Sequence, residues 1–321
     1  MLNVTHKITL GSTSLTSRLL DLETRAGLDV PINVCRIMLD AVTTVSAAPG
    51  DDVKIELGYD KSLTKVFTGK ISGVARGIET VTIEGASSFT ALTAARINSL
   101  YEKQNAGDIV SDLLGKLDVK KGTVEAGEKF ASFTVSDREN VWVVIAELAA
   151  RCGFDFYADP EDKAVFQKYA AAETHAFEYG VHILDFAQEA LQPALDGVEV
   201  YGESPVGQGQ GDDASAWLTK KTVKGNAGET SGNVLRISDA AARTQSLVRA
   251  LAGNLLKTYQ VQARGRMRVL GDPTVKLGDA IKVSKMPDAA QNGTYKVTSV
   301  RQRLNHRVGF VTDVFWVKVE G

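Results

Sequence analysis

The chain has 321 residues and a mass of 34.4 kDa, enough for two or three domains of ordinary size. Its 44% hydrophobic and 24% charged residues are those of a globular protein and exclude a disordered one. A formal net charge of −2 without a long basic run argues against binding along a nucleic-acid backbone, and apolar runs such as residues 141–150 are too short to cross a bilayer.

The opening residues, Met1 to Lys7, lack the basic region and apolar core of a signal peptide. Strands are then predicted at residues 5–10, 34–39, 53–59, 65–74 and 79–84, which are rich in Val, Ile and Thr. Val53-Lys54-Ile55-Glu56-Leu57 alternates apolar with polar, the period of a half-buried strand. Gly50-Asp51, Gly58 and Gly77 punctuate the series.

The middle of the chain changes period. Residues 106–117 put Ile109, Val110, Leu113, Leu114 and Leu117 on one helical stripe. Ser136-Asp137-Arg138-Glu139 has the form of a capping box, opening a helix with Trp142, Ile145, Leu148, Ala149 and Cys152 on one face. Gly153 suits a left-handed helix stop. Phe154 to Tyr157 and Ala164 to Gln167, joined by a turn through Asp159-Pro160-Glu161-Asp162, complete a helix-plus-hairpin unit.

Residues 203–214 are mostly Gly, Gln and Asp and are predicted to form an exposed loop. A long helix is expected over about 239–259, with Leu247, Leu251 and Leu255 at successive turns, before strands resume through Lys318. Arg264, Arg266 and Arg268 alternate on one side of a strand, expected to be a solvated or partner-facing edge. Cys35 and Cys152 are expected as buried free thiols, in keeping with a reducing, cytoplasmic origin, with a disulfide between them left open.

The two strand-rich ends repeat each other. Gly50-Asp51-Asp52-Val53-Lys54-Ile55 matches Gly278-Asp279-Ala280-Ile281-Lys282-Val283; Gly69 to Val74 matches Tyr295 to Val300; and Val81 to Ile83 matches Val311 to Asp313. The offsets are 228, 226 and 230, so three strands recur in one order and nearly one spacing. The expected fold is therefore mainly β with an α+β insert: two similar tube-type β-barrels flank a helix-plus-hairpin middle domain. The expected bounds are 1–97 for the first barrel, 98–186 for the middle domain, and 187–321 for the second barrel with its long helix.

His6, His175, His182 and His306 are scattered and form no metal signature. Gly207-Gln208-Gly209-Gln210-Gly211 lacks the Lys-Ser/Thr of a phosphate loop, and Gly202-Glu203-Ser204-Pro205-Val206-Gly207 misses a nucleophile elbow by one residue. Asp155, Asp159 and Asp162 do not have calcium-loop spacing. No catalytic, cofactor-binding or metal-binding residue is assigned, and the chain is expected not to be an enzyme.

The segment from Gly50 through Leu57-Gly58-Tyr59 to Phe67-Thr68-Gly69-Lys70-Ile71 resembles the N-terminal barrel of phage late-control D proteins, tail hub proteins and the N-terminal part of VgrG. Ser136-Asp137-Arg138-Glu139-Asn140-Val141-Trp142 with Gly153-Phe154-Asp155-Phe156 resembles their central element. Gly271-Asp272-Pro273-Thr274-Val275-Lys276-Leu277-Gly278-Asp279 with Gly293-Thr294-Tyr295-Lys296-Val297 is similar to their second barrel.

This resemblance implies the structural baseplate hub of a contractile phage tail or related contractile injection system. The hub would be a homotrimer between a threefold spike and a hexameric tail tube protein. A tape-measure protein and other baseplate proteins are further expected partners, with DNA or an effector passing through the channel. Membrane and specific nucleic-acid partners are not expected. The chain stops at Gly321, just past the second barrel, so the spike is expected to be a separate polypeptide. Its expected place is the virion tail baseplate or an injection particle, after assembly in the bacterial cytoplasm. The other reading is a carbohydrate- or receptor-binding β-protein of the tail; it would call for exposed aromatics, but Trp142, Trp217 and Trp316 are isolated and two of them lie in apolar contexts.

Overall fold

The computed structural model describes residues 3–42, 45–60, 62–202 and 223–318. Its first strands are β1 (Val4–Leu10), β2 (Thr13–Leu15), β3 (Leu19–Gly27), β4 (Val34–Asp40), β5 (Asp52–Tyr59), β6 (Ser62–Arg76) and β7 (Thr80–Ala86). Alternation decides which face turns inward: Val53, Ile55 and Leu57 are fully buried while Lys54 between them is exposed. The antiparallel order is β3-β4-β7-β6-β5-β1, and Ile8, Leu22, Ile37, Ile55, Phe67 and Ile83, one from each strand, meet in one core. The sheet therefore curls into the expected barrel-like unit.

The middle comprises α1 (Phe89–Ala94), β8 (Ser99–Asn105), α2 (Ala106–Lys116), β9 (Lys121–Val124), β10 (Lys129–Val135), α3 (Val141–Cys152), β11 (Phe154–Ala158) and β12 (Ala164–Lys168). A capping box between Asn105 and Asp108 opens α2. The box expected at Ser136 and Glu139 does not form. Helix α3 starts after Asn140, whose side chain accepts from the Val143 N–H at 3.0 Å, so Glu139 lies outside the helix. The Asp137 and Arg138 carbonyls instead accept from Arg96. Gly153, at φ 66°, stops α3 as expected.

The remainder is β13 (Thr174–Glu178), β14 (Ile183–Ala190), β15 (Gly197–Gly202), β16 (Val223–Gly228), β17 (Val234–Asp239), α4 (Gln245–Tyr259), β18 (Ala263–Leu270), β19 (Ala280–Ser284), β20 (Gly293–Asn305) and β21 (Gly309–Val317). The helix expected over 239–259 begins only at Gln245. Asp239 closes β17 and accepts from Ala241 in a turn, and the Thr244 hydroxyl caps the helix through the Leu247 N–H. Leu247 and Leu251 of α4 share a core with Leu113 of α2 and Leu148 of α3, as do Val198 and Val200 of β15. Residues 197–202 and 223–259, expected within the second barrel unit, thus pack into the middle core. The Arg151–Asp239 ion pair at 2.7 Å and the Asn254 bond to the Arg151 carbonyl reinforce this.

With that segment set aside, the second unit retraces the first. The chain order β13, β14, β18, β19, β20, β21 follows the ladder β14-β18-β21-β20-β19-β13, as β1, β3, β4, β5, β6, β7 follow theirs. Asp52 faces Lys70 and Val53 faces Gly69; Ala280 faces Lys296 and Ile281 faces Tyr295. The register shift between Ile71 and Gly73 recurs between Val297 and Ser299, and that between Leu19 and Asp21 recurs between Ile183 and Asp185. One sequence match needs a correction. Val74 faces Ile83 and Val300 faces Val314, so Val81 to Ile83 corresponds to Thr312 to Val314, one residue beyond the sequence alignment. The units also differ at one strand, since β1 runs antiparallel to β5 but β13 parallel to β19.

The shared Gly-Asp turn has shared chemistry. Gly50 and Gly278 sit at φ 96° and 89°, and Asp51 and Asp279 each accept a backbone N–H three residues earlier, from Ala48 and Lys276 at 2.9 and 3.1 Å. Their carbonyls accept from Ile71 and Val297, the equivalent residues of the next strand. Gly50→Ala should cost about 1–2 kcal/mol, since a Cβ there meets open space and only the backbone is strained. Gly278→Ala should cost clearly more, because its Cβ would lie 2.4 Å from the buried Tyr157 hydroxyl. Urea midpoints of the two variants test this ordering; equal losses would overturn it.

The two units are one sheet. β20 pairs with β19 over its first residues, then with β3 from Ser299 to Asn305.

Candidate functional site

The pairing of β20 with β3 lays the outer faces of both units side by side, and the charged residues of that face fall into rows. Across β7, β4, β3 and β20, Glu84, Arg36, Glu23 and Arg303 stand opposite one another in turn. A second row crosses β3, β20, β21, β18 and β14 as Arg25, Arg301, Asp313, Arg268 and Asp185. The residues between them in each strand, such as Leu22, Ile37, Met267 and Val314, point into the cores. Mixed sign along cross-strand rows keeps the local field mild.

Asp313 is the centre of this face. It is fully buried beneath Arg268 at 2.7 Å, Arg301 at 2.9 Å and Arg303 at 3.1 Å. Burial pushes its carboxyl up, but the bonds from Arg268 and Arg301 and the charges of Arg303 and Arg301 hold it below the usual carboxylate range. Arg264 and Arg266 reach across to Glu189 and Asp185. The basic strand expected at an edge is therefore an interior one, flanked by β14 and β21, and its arginines meet carboxylates of their neighbours.

The other chemistry-bearing residues stay apart. His175 Nε2 donates to the Asp279 carboxylate at 2.9 Å inside the second unit; burial lowers its pKa, but the bond and charge of Asp279, with the charges of Asp272 and Glu173, outweigh that for a net upward shift. Burial lowers His6, while His182 Nδ1 accepts from the Glu178 N–H and His306 is exposed. Asp155 pairs with Lys296, Asp159 caps its own turn, and Asp162 accepts from Ser88, so the three aspartates do not converge. Among the described residues no group of three or more His, Cys, Asp or Glu is placed to hold a metal, and no helix is long and apolar enough to cross a membrane. Burial pushes the free thiols of Cys35 and Cys152 up to about 12 and about 11. Trp142 is partly buried against the middle core and Trp316 is buried. Trp217 and the glycine-rich residues 203–214 lie outside the described residues.

Several solved structures share the architecture. The 43 kDa tail protein of prophage MuSo2 from Shewanella oneidensis aligns with a TM-score of 0.73 at 11% identity over 98% of both chains. A tail protein from Neisseria meningitidis MC58 gives 0.72 at 13% identity, over 98% of this chain and 96% of that one. An E. coli component of the type VI secretion system, described as structurally similar to tail proteins of bacteriophage T4, gives 0.60 at 11% identity, over 94% and 74%. At these identities the likeness is one of fold. No curated protein matches the sequence. The model of the family described as the Alg8 N-terminal domain matches residues 41–306, and that description carries no activity. By that match the chain belongs to the Alg8 N-terminal domain family, and its fold is that of phage tail proteins.

Proposed function

We propose that the chain is the structural baseplate hub of a contractile phage tail or a related contractile injection system, and that it works without catalysis. The observation that carries this reading is the duplication: two units with the same strand order, register and bulge positions in one polypeptide. Three copies in a ring present six similar units to a hexameric tail tube while keeping threefold symmetry for a separate spike protein. The rows of mixed charge on the sheet face suit a channel wall past which a tape-measure protein, DNA or an effector slides without being held. Such a hub sits in the virion tail or injection particle, beside other baseplate proteins.

Light scattering of the purified chain at micromolar concentration should give the mass of three copies. Electron microscopy should show threefold rings with six lobes. A clean monomer by both measurements refutes the reading.

A further inference from the structure

We propose that neighbouring copies join through one strand pair: residues 73–76 of β6 in one copy add antiparallel to β14 of the next. This rests on the hub reading and specifies its subunit contact. The precedent lies within the chain, where β20 holds β3. β6 is the counterpart of β20 and β14 the counterpart of β3, so a ring of alternating units needs the same junction once more, between copies.

Among the described residues both edges are open: β14 ends the order of its sheet, and beyond Ile71, whose main chain bonds the Gly50–Asp51 turn, β6 pairs only with β7. The Gly77 N–H bonds the Thr80 carbonyl within the β6–β7 hairpin, so by alternation the main-chain groups of Val74 and Arg76 point to the open side. Where β3 is covered by β20, Leu22 and Thr24 are buried; their counterparts on β14, Phe186 and Gln188, are only partly so.

Carrying the register of Gln302 on Thr24 and Arg301 on Arg25 across to the counterparts sets Arg76 opposite Gln188 and Ala75 opposite Glu189. The Gln188 Oε1 is buried without a hydrogen-bond partner among the described residues. Arg76, which spends one guanidinium N–H on the Val45 carbonyl, brings further donors to that acceptor. The two edges are different surfaces, so the contact is head-to-tail and closes only at a fixed number of copies.

Cysteine pairing in the full chain tests this. Ala75 and Glu189 are exposed and would form a non-hydrogen-bonded pair, with Cα atoms about 4.5 Å apart and within disulfide reach. Cys35 and Cys152 are buried and do not compete. Oxidised A75C/E189C protein should run as covalent trimers on a non-reducing gel. The control A75C/A187C, about 7–8 Å off register on the same face, should remain largely unlinked. Light scattering and thermal melting of the reduced variants show that both are folded and assembled. Native trimers that link no better in the registered pair than in the control overturn this junction and leave the hub reading standing. Folded monomers alone overturn both. Covalent ladders beyond three chains retain the junction and overturn the threefold closure.

Discussion

Trp316→Ala should lower stability by about 3–5 kcal/mol. The indole is 1% exposed, lies 4.0 Å from the Tyr295 ring centroid and 5.5 Å from that of Phe186, and so ties β21, β20 and β14 together. It also covers Gly265, where a Cβ would lie 2.2 Å from the indole Cζ2, so the facing strand offers no side chain at that position to fill the space. Among the described residues the buried Trp316 Nε1 has no hydrogen-bond partner, a standing cost within an otherwise favourable contact. Trp316→Phe should therefore stay within about 1–2 kcal/mol of the parent, keeping ring contact while removing the unpaired donor. Urea unfolding followed by circular dichroism measures both, since fluorescence would lose its reporter. A loss under about 1 kcal/mol for the alanine variant would show that the second unit's core does not depend on this ring.

The same pair explains why the duplication is legible in the sequence only in part. Gly265 facing Trp316 in the second unit occupies the place of Cys35 facing Gly85 in the first. The glycine has exchanged strands and its partner has changed from a small thiol to an indole, so neither residue matches. The Gly-Asp turns survive because backbone geometry demands them: φ near 90° calls for glycine, and the aspartate must accept the turn's N–H. Turns were therefore readable where core pairs were not.

Other features escaped for equally local reasons. β3 and β14 carry bulges after Leu19 and Ile183 that break the two-residue period, so neither alternates cleanly. The amphipathic pattern of α4 was readable, but nothing in it says which core its apolar stripe meets; only the long-range pairing of β14 with β18 excludes it from the second unit. The charged rows depend on register between strands far apart in sequence. Arg264, Arg266 and Arg268 were visible as one face of a strand, whereas Asp313, the residue that gathers Arg268, Arg301 and Arg303, looked like any other strand aspartate.

Asp313→Ala should cost about 2–3 kcal/mol, below the 3–5 kcal/mol of a fully buried pair, because its three arginines remain partly exposed and regain water. The pH dependence identifies the cause. An unfolded aspartate titrates near about 3.9, and in the folded chain the arginines hold Asp313 lower. The stabilisation is thus complete above the unfolded value and is lost as pH falls through the folded one. The gap in unfolding free energy between parent and Asp313→Ala, measured in urea from neutral pH downward, should narrow in acid. A gap that does not change with pH would mean that Asp313 acts by packing alone. The substitution should also alter the face itself. With its central carboxylate removed, the row from Arg25 to Asp185 keeps three arginines with only the Asp185 carboxylate, at its far end, to offset them. That face should then bind polyanions more strongly, and retention on a phosphate-bearing column should rise at low salt and vanish as salt screens it.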